Sequence, residues 1–444
     1  MARPAIRSAG ANAGANVSAS AGALVFADRV RAARLANGLS LLVEPDPSIP
    51  NVALYIFYRV GSRNERPGLT GLSHFFEHMM FNGTRRKGPK VLDRVMETAG
   101  GRNNAYTSQN LTVYQDWFPS EALETVIDLE ADRMADLALD PVVVESERAV
   151  VAAERRAMTE SDNHALMEER LWATAFTAHS YRWPVIGWSE DIAAWRIEDL
   201  AAFYKTYYAP GNALVVAVGD VDAERFFALA ERTFGLVRPG APPPVVAAVE
   251  PPQRGERRAE LARPAQLAAF IAAWHVPAAR HADGYALRVL ETLLLAGQSS
   301  RLYGRLVDHE RAALAVSGGF DAAFDPTLFF VMCEMSEGVA AARGESLVVE
   351  EIARLAADGP SEAELAKAKR IRLADAYRGL KTISGRAHDL GLSEIYFGDW
   401  REGFRVEEAY GRVTADDVRR VARAYFTPEN RSVVTLVPTA TPVA

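Results

Sequence analysis

Hydrophobic and polar positions follow two different periods along this chain of 444 residues. Short segments rich in β-branched and aromatic residues predict strands, namely LSLLVEPD (39–46), NVALYIFYRVG (51–61) and NLTVYQDWFP (110–119). Longer segments with a period near 3.6 predict helices, namely 120–139, 142–158 and 361–380. This mixture predicts the α+β class, with mainly antiparallel sheets that carry helices on one face.

One helix–turn–strand pattern occurs twice. The segment EDLAAFYKTYYAPGNALVVAVG (198–219) is echoed by DDVRRVARAYFTPENRSVVTLV (416–437). Four residues match at one constant offset and without gaps: Asp199, Tyr207, Pro210 and Asn212 fall on Asp417, Tyr425, Pro428 and Asn430. Internal repeats of this kind indicate duplicated structural units, so we expect two homologous domains.

A proline-rich segment divides the chain. Residues 238–256 read RPGAPPPVVAAVEPPQRGE, and their prolines favour an extended linker. Residues 1–23 contain Ala, Gly, Ser and Asn with almost no large apolar side chains, which predicts a disordered leader. The expected domains are therefore 24–237, which holds the chemistry described next, and 257–444.

Composition excludes several classes of protein. The net charge is −7 and the basic residues are scattered, so nothing supports nucleic-acid binding. No apolar run approaches a membrane span, and the leader lacks the apolar core of a signal peptide. The single cysteine, Cys333, rules out an intramolecular disulfide and disfavours a thiolate metal site. Any metal site must use histidine and carboxylate ligands.

The segment LSHFFEHMMFNGT (72–84) places His74, Glu77 and His78 within a run of Phe and Met. In a helix, His74 and His78 share one face because they are four residues apart, and Glu77 lies beside them. Two imidazoles and a nearby carboxylate suit Zn²⁺, one ion per chain. The order His-x-x-Glu-His is the inverse of the common zinc-protease motif. Glu77 could then take a proton from water activated by the metal.

A third ligand should come from another helix. Glu147 and Glu154 in ESERAVVAAERRAM are two turns apart and share a face, with Val150 and Val151 between them. Spacing alone does not choose between them. It also allows both to be surface carboxylates that pair with neighbouring arginines.

The segment GSRNERPGLTGLSHFFEHMMFNGT (61–84) closely resembles the zinc-binding region of the pitrilysin and insulin-degrading-enzyme family, in its short processing-peptidase branch. The resemblance continues through ERAVVAAERR (147–156) and covers nearly the whole chain after the leader. It implies that His74, His78 and Glu154 are the zinc ligands and that Glu77 is the general base. Glu147 would be a supporting acid that holds a ligand histidine in its tautomer.

The resemblance also implies the activity: a zinc endopeptidase that cleaves peptides or unfolded segments inside a chamber, of which this chain forms half. The segment NNAYTS (103–108) matches the family's substrate-edge strand. Asn104 and Ala105 would offer backbone groups to an extended peptide by strand addition. The expected location is the bacterial cytoplasm or periplasm, as a soluble protein.

The second half departs from the family pattern. The family places an Arg and a Tyr seven residues apart, where this chain has His309 and Val316, and valine has no hydrogen-bond donor. The repeat puts Thr292 and Ala296 where the two histidines would recur. We therefore expect a heterodimer in which a homologous chain supplies the Arg and Tyr. The alternative is a non-catalytic assembly or peptide-binding subunit of the same fold.

Overall fold

The computed structural model describes residues 27–439, and the leader predicted over 1–23 lies outside them. The strands are β1 Arg31–Arg34, β2 Ser40–Pro45, β3 Asn51–Tyr58, β4 Arg102–Thr107, β5 Thr112–Pro119, β6 Ala213–Gly219, β7 Arg257–Pro264, β8 Ala269–Val276, β9 Ala313–Gly319, β10 Thr327–Met335 and β11 Arg431–Thr439. The α-helices are α1 Leu72–Met79, α2 Val91–Thr98, α3 Leu123–Asp136, α4 Pro141–Glu154, α5 Asn163–Ala175, α6 Ser189–Ala194, α7 Ile197–Tyr207, α8 Ala223–Arg232, α9 Gly284–Leu295, α10 Arg301–Tyr303, α11 Ala341–Asp358, α12 Glu362–Gly379, α13 Ile383–Phe397, α14 Val406–Arg412 and α15 Ala415–Tyr425.

The first compact unit contains the described residues up to Ala153, together with Pro184–Ala247 and Tyr377–Arg405. Its sheet has the order β1-β2-β6-β3-β5-β4. Strand β3 runs antiparallel to β5 and β6, whereas β2 runs parallel to β6. Strand β4 pairs with β5 alone and is therefore an edge strand of the sheet.

The second unit contains Glu154–Trp183, Ala248–Ala376 and the described residues from Val406. Its sheet has the order β7-β11-β8-β10-β9, again with one parallel pair, β7 with β11. The order repeats that of β2-β6-β3-β5-β4 strand for strand. The α+β class and the two homologous halves are thus confirmed, and the domain boundaries at 237 and 257 stay a prediction.

Each unit also contains one helix from the other half of the sequence. Helix α5 packs on β7, β8 and β11 of the second sheet, and α13 packs on β3 and β6 of the first. In the first sheet, alternate residues of β3 point to opposite faces. Leu54 and Ile56 belong to the main core with α1, whereas Tyr55 and Phe57 face α13. Both faces of β3 are consequently buried.

Helix α13 approaches β3 closely at Gly391. A Cβ atom built at Gly391 would lie 2.1 Å from ring atoms of Phe57, far inside van der Waals contact. Only glycine lets the helix backbone come this close to the sheet.

The linker 238–256 carries neither helix nor strand, as its prolines predict. It is nevertheless tied to the second unit, because the Glu250 carboxylate accepts hydrogen bonds from the backbone N–H groups of Thr177, Ala178 and His179. Across residues 27–439, every helix is too short or too polar to cross a lipid bilayer.

Candidate metal centre

Helix α1 divides its side chains between two environments. Leu72, Phe75, Phe76 and Met79 are buried in the core of the first unit. His74, Glu77 and His78 are only half-buried and lie on the remaining face. The apolar residues therefore fix the rotation of the helix, and that rotation presents the three polar side chains together.

His74 and His78 meet a carboxylate from α4. Their ring centroids lie 4.7 Å apart. Glu154 is the last residue of α4, and one ligand atom from each of His74, His78 and Glu154 lies within 4.8 Å of the other two. Tetrahedral zinc holds its ligand atoms about 3.4 Å apart, so small side-chain rotations would close the trio on a metal. Two imidazole nitrogens and one carboxylate oxygen are a zinc donor set.

Glu147 lies behind this trio rather than within it. The His78 Nδ1 atom is 2.8 Å from Glu147 Oε1, and Asn82 Nδ2 donates to Glu147 Oε2 at 2.8 Å. The hydrogen bond from His78 lowers the pKa of Glu147, so the carboxylate is ionised at neutral pH. An ionised carboxylate makes Nδ1–H the donor and leaves Nε2 of His78 as the ligand atom.

The His74 imidazole is neutral. Burial lowers its pKa to about 4, and the neighbouring His78 acts in the same direction. Neutral imidazole is the form that binds a metal ion.

Glu65, which is not among the candidate residues predicted above, anchors the start of α1. Its buried carboxylate accepts hydrogen bonds from the backbone N–H groups of Gly71 at 2.8 Å and Ser73 at 2.7 Å. Burial raises the pKa of Glu65 to about 8, and the two N–H donors act against that rise. The sequence signal for this role is an acidic residue six positions before Gly71, an N-cap residue that has no side chain to cap the helix.

The edge strand β4 carries Asn104 and Ala105. The Ser108 N–H donates to the Leu111 carbonyl at 2.8 Å, which fixes the phase of the β4–β5 ladder. Hydrogen-bonded pairs alternate along an antiparallel ladder. The backbone of Asn104 therefore pairs with Gln115, whereas the N–H and C=O of Ala105 point away from β5. The Asn104 side chain is exposed.

The second half has no comparable cluster. Thr292 is buried on α9 and donates to the Arg288 carbonyl at 3.0 Å, and Ala296 follows the end of that helix. Val316 lies on the edge strand β9, and His309 is exposed. Among residues 27–439, His74, His78 and Glu154 form the one group that could hold a metal ion.

This architecture and donor set agree with the comparisons of sequence. Residues 41–187 match the family model described as Insulinase (Peptidase family M16), and residues 194–372 match the model described as Peptidase M16 inactive domain. The chain belongs to peptidase family M16, which confirms the resemblance to insulin-degrading enzymes. The model that matches residues 194–372 describes an inactive domain. This description agrees with the second half of the chain, where Thr292 and Ala296 replace the two histidines.

Several relatives of this chain are named as proteases. The chain is 31% identical over 412 residues to "Zinc protease PqqE" of Helicobacter pylori, covering 91% of this chain and 92% of that one. It is 27% identical over 444 residues to the "Mitochondrial-processing peptidase subunit beta" of Blastocladiella emersonii, covering 94% and 90%. The crystal structure of a protease from Helicobacter pylori superposes with a TM-score of 0.89 at 29% identity, covering 92% of this chain and 99% of that one.

Proposed function

We propose that the protein is a zinc-dependent endopeptidase that hydrolyses peptides or unfolded polypeptide segments. The observation that carries the proposal is the convergence of His74, His78 and Glu154, with Glu77 on the same helix face. A buried structural zinc site would be closed by four protein ligands. Three half-buried ligands beside a carboxylate are the arrangement of a hydrolytic site.

His74, His78 and Glu154 would hold the metal. When bound, zinc would polarise the scissile carbonyl and make a water molecule acidic enough to lose its proton near neutral pH. Glu147 keeps Nε2 of His78 directed at the site through the hydrogen bond at Nδ1. Glu65 fixes the first turn of the helix that carries both histidines.

Glu77 would be the general base and then the general acid. It shares the less buried face of α1 with His74 and His78, so its carboxylate would reach the water that attacks the substrate. It would take the proton of that water and pass it to the amine of the leaving fragment. Such proton transfer contributes about 10²–10⁴-fold to the rate.

The substrate would bind as an extra strand on β4. The outward N–H and C=O groups of Ala105 can form one pair of backbone hydrogen bonds with an extended peptide. Backbone pairing is independent of sequence, which suits an enzyme that accepts varied or unfolded segments. The exposed Asn104 side chain would contact the side chains of the bound peptide.

A second chain of the same fold would complete the site. His309 and Val316 stand where the family has Arg and Tyr, so this chain lacks those donors for the developing oxyanion. Loss of one such donor costs about 10²–10³-fold in rate. We propose a heterodimer in which the partner supplies the donors and the two chains enclose the substrate in a chamber.

The test compares Glu77→Gln with Glu145→Gln, an exposed glutamate on α4. Each protein is assayed with a quenched peptide, alone and with a co-purified homologous partner, and its zinc content is measured. We expect Glu77→Gln to keep one zinc per chain and lose about 10³-fold in kcat, while Glu145→Gln remains at the wild-type rate.

Three results would count against the proposal. Normal cleavage by Glu77→Gln would exclude Glu77 as the base. Full activity of the wild-type chain alone would exclude the need for a partner. Bound zinc and peptide affinity without any cleavage would identify a non-catalytic peptide-binding subunit.

A further inference from the structure

Tyr114 on β5 contacts the turn of α1 that carries Glu77. Its side chain is fully buried, and its hydroxyl donates a hydrogen bond to the Phe76 carbonyl at 3.0 Å. The same carbonyl accepts the helical hydrogen bond from the Met80 N–H at 3.1 Å. The Phe76 carbonyl belongs to the peptide group that joins Phe76 to Glu77. The Tyr114 hydroxyl therefore holds the peptide plane immediately before Glu77.

The Tyr114 ring packs against the side chain of Arg133. The Arg133 guanidinium lies 4.3 Å from the ring centroid, at cation–π distance. Arg133 is buried and pairs with Glu130 at 2.6 Å. Nearby Asp116 is fully buried, and burial together with Glu130 raises its pKa. The buried pair of Arg133 and Glu130 therefore holds the Tyr114 ring in one position.

Tyr114 is also the cross-strand partner of Ala105. Directly opposed residues of an antiparallel pair place their side chains on the same face of the sheet, about 4.5–5.5 Å apart. The small Ala105 side chain and the Tyr114 ring both pack in the core beneath α1. The Tyr114 side chain thus lies beside Ala105 of the edge strand and bonds to the peptide group that precedes Glu77.

We propose that Tyr114 is a positioning residue that sets the Glu77 carboxylate relative to a peptide bound on β4. This inference rests on the proposed peptidase function. A proton acceptor must lie within hydrogen-bond reach of the attacking water, and a misplacement near 1 Å costs about 10²-fold in rate. The hydroxyl therefore acts on the chemical step rather than on the binding of peptide or metal.

The chain offers a matched control in Tyr58. It lies on neighbouring β3, is fully buried, and packs edge-to-face against Tyr114 with centroids 5.8 Å apart. Its hydroxyl has no hydrogen-bond partner among the described residues. Tyr58→Phe and Tyr114→Phe thus each remove a buried hydroxyl from the same cluster, and of the two hydroxyls only that of Tyr114 donates a hydrogen bond to α1.

The experiment measures kcat, KM, zinc content and thermal unfolding for wild type, Tyr58→Phe and Tyr114→Phe, each with the homologous partner present. Peptide affinity is measured separately in the Glu77→Gln background, where no turnover interferes. We expect Tyr114→Phe to lower kcat about tenfold, with KM, peptide affinity and zinc content unchanged. Tyr58→Phe should match wild type in all of these.

The possible results separate two failures. If wild type cleaves and Tyr114→Phe has the same kcat, the positioning role is wrong and the proposed function stands. The role is also wrong if both variants lose kcat in proportion to a common loss of thermal stability. If wild type and partner cleave no peptide, the proposed function falls, and the role of Tyr114 falls with it.

Discussion

The two units have the same sheet and carry different chemistry. Strands β3 and β8 are separated by a constant 218 residues, from Asn51 to Ala269 and from Tyr58 to Val276. At that offset His74 and His78 correspond to Thr292 and Ala296, and the helix α9 is packed by leucines instead. The duplicated framework therefore folds with or without metal-binding residues. The proposed function depends on a few side chains in the first half of the sequence.

The two exchanged helices, α5 and α13, also differ in how they contact their sheets. In the second unit, α5 packs through Met167, Leu171 and Ala175 against apolar residues of the sheet. In the first unit, α13 adds polar side-chain contacts in its first two turns, whereas the polar contacts that α5 makes with its sheet lie at its two ends. Trp117 Nε1 donates to Ser384 at 2.6 Å, Arg386 pairs with buried Glu44 at 2.9 Å, and His388 is 2.8 Å from the Tyr106 hydroxyl on the edge strand.

This difference indicates what each helix contributes. Apolar packing stabilises a helix without fixing one register, because hydrophobic contacts are non-directional. Hydrogen bonds and ion pairs require one position. The polar contacts of α13 therefore specify its position on the sheet that contains the edge strand β4.

The largest expected effect concerns the pH response of α13. Burial raises the pKa of Asp389 to about 6, against about 3.9 in an unfolded chain. The folded state therefore binds this proton more tightly than the unfolded state. Its stabilising contribution is present at low pH and declines by up to about 3 kcal/mol as pH rises from about 4 to about 6.

Asp389→Asn should remove that slope, about 1.4 kcal/mol per pH unit, in urea unfolding measured between pH 4 and 7. The position equivalent to Asp389 on α5 is Leu171. Leu171→Ala should lower stability by about 2–5 kcal/mol at every pH. If the free energy of unfolding of wild type and of Asp389→Asn changes with pH in the same way, Asp389 does not make the stability of α13 depend on pH.

The next largest effect concerns the zinc affinity of α1, the helix that carries the two proposed histidine ligands. Glu147→Gln removes the charge that orients His78, and loss of such a partner weakens metal affinity about 10–100-fold. Competition with a chelator of known zinc affinity measures the change. Asn82 should then be tested as Asn82→Ala, which keeps the Glu147 charge and should have a smaller effect. An unchanged zinc affinity in Glu147→Gln would mean that His78 is oriented by packing alone.

A smaller effect tests the proposed substrate edge. Ala105→Pro removes the outward N–H of β4, which should raise KM about tenfold through the loss of one hydrogen bond of about 1–1.5 kcal/mol. Ala32→Pro is the matched control on β1, the opposite edge of the same sheet. The Leu35–Leu39 hydrogen bond sets the phase there, so the Ala32 N–H also points outward. Equal KM values for the two variants would remove β4 as the binding edge.

The smallest expected effect is none at all. The double substitution Thr292→His with Ala296→His restores both histidines in the second unit. The position equivalent to Glu154 is Arg372, so a carboxylate ligand is still missing and a cation stands in its place. Zinc stoichiometry should stay at one per chain by elemental analysis. A second bound zinc would show that the two introduced histidines are sufficient to bind zinc without a carboxylate at position 372.

The sequence predicts the candidate ligands and the base better than it predicts the residues that hold them in place. His74, Glu77 and His78 could be recognised because helix geometry alone brings them to one face. The choice of Glu154 over Glu147 needed the resemblance to a family, since both lie on the same face of α4. The structure places Glu154 with the histidines and Glu147 against His78 Nδ1.

Long-range contacts could not be read from periodicity. Glu65 and Tyr114 act on the backbone of α1, and a side chain that bonds to a distant backbone leaves no pattern in the sequence. The exchange of α5 and α13 was missed for a similar reason. Residues 383–397 follow a proline-rich linker by more than a hundred positions, and nothing in their pattern tells which sheet they cover.

The exchange of α13 has a consequence during synthesis on the ribosome. The last strand of the first sheet ends at Gly219, but the helix that covers the face of Tyr55 and Phe57 ends at Phe397. At translation rates of about 5–20 residues per second, that apolar face stays uncovered for roughly 10–35 s until α13 has been synthesised. The nascent chain is exposed to chaperones during this interval. The edge strand β4 gains its support from His388 only after residue 388 has been synthesised.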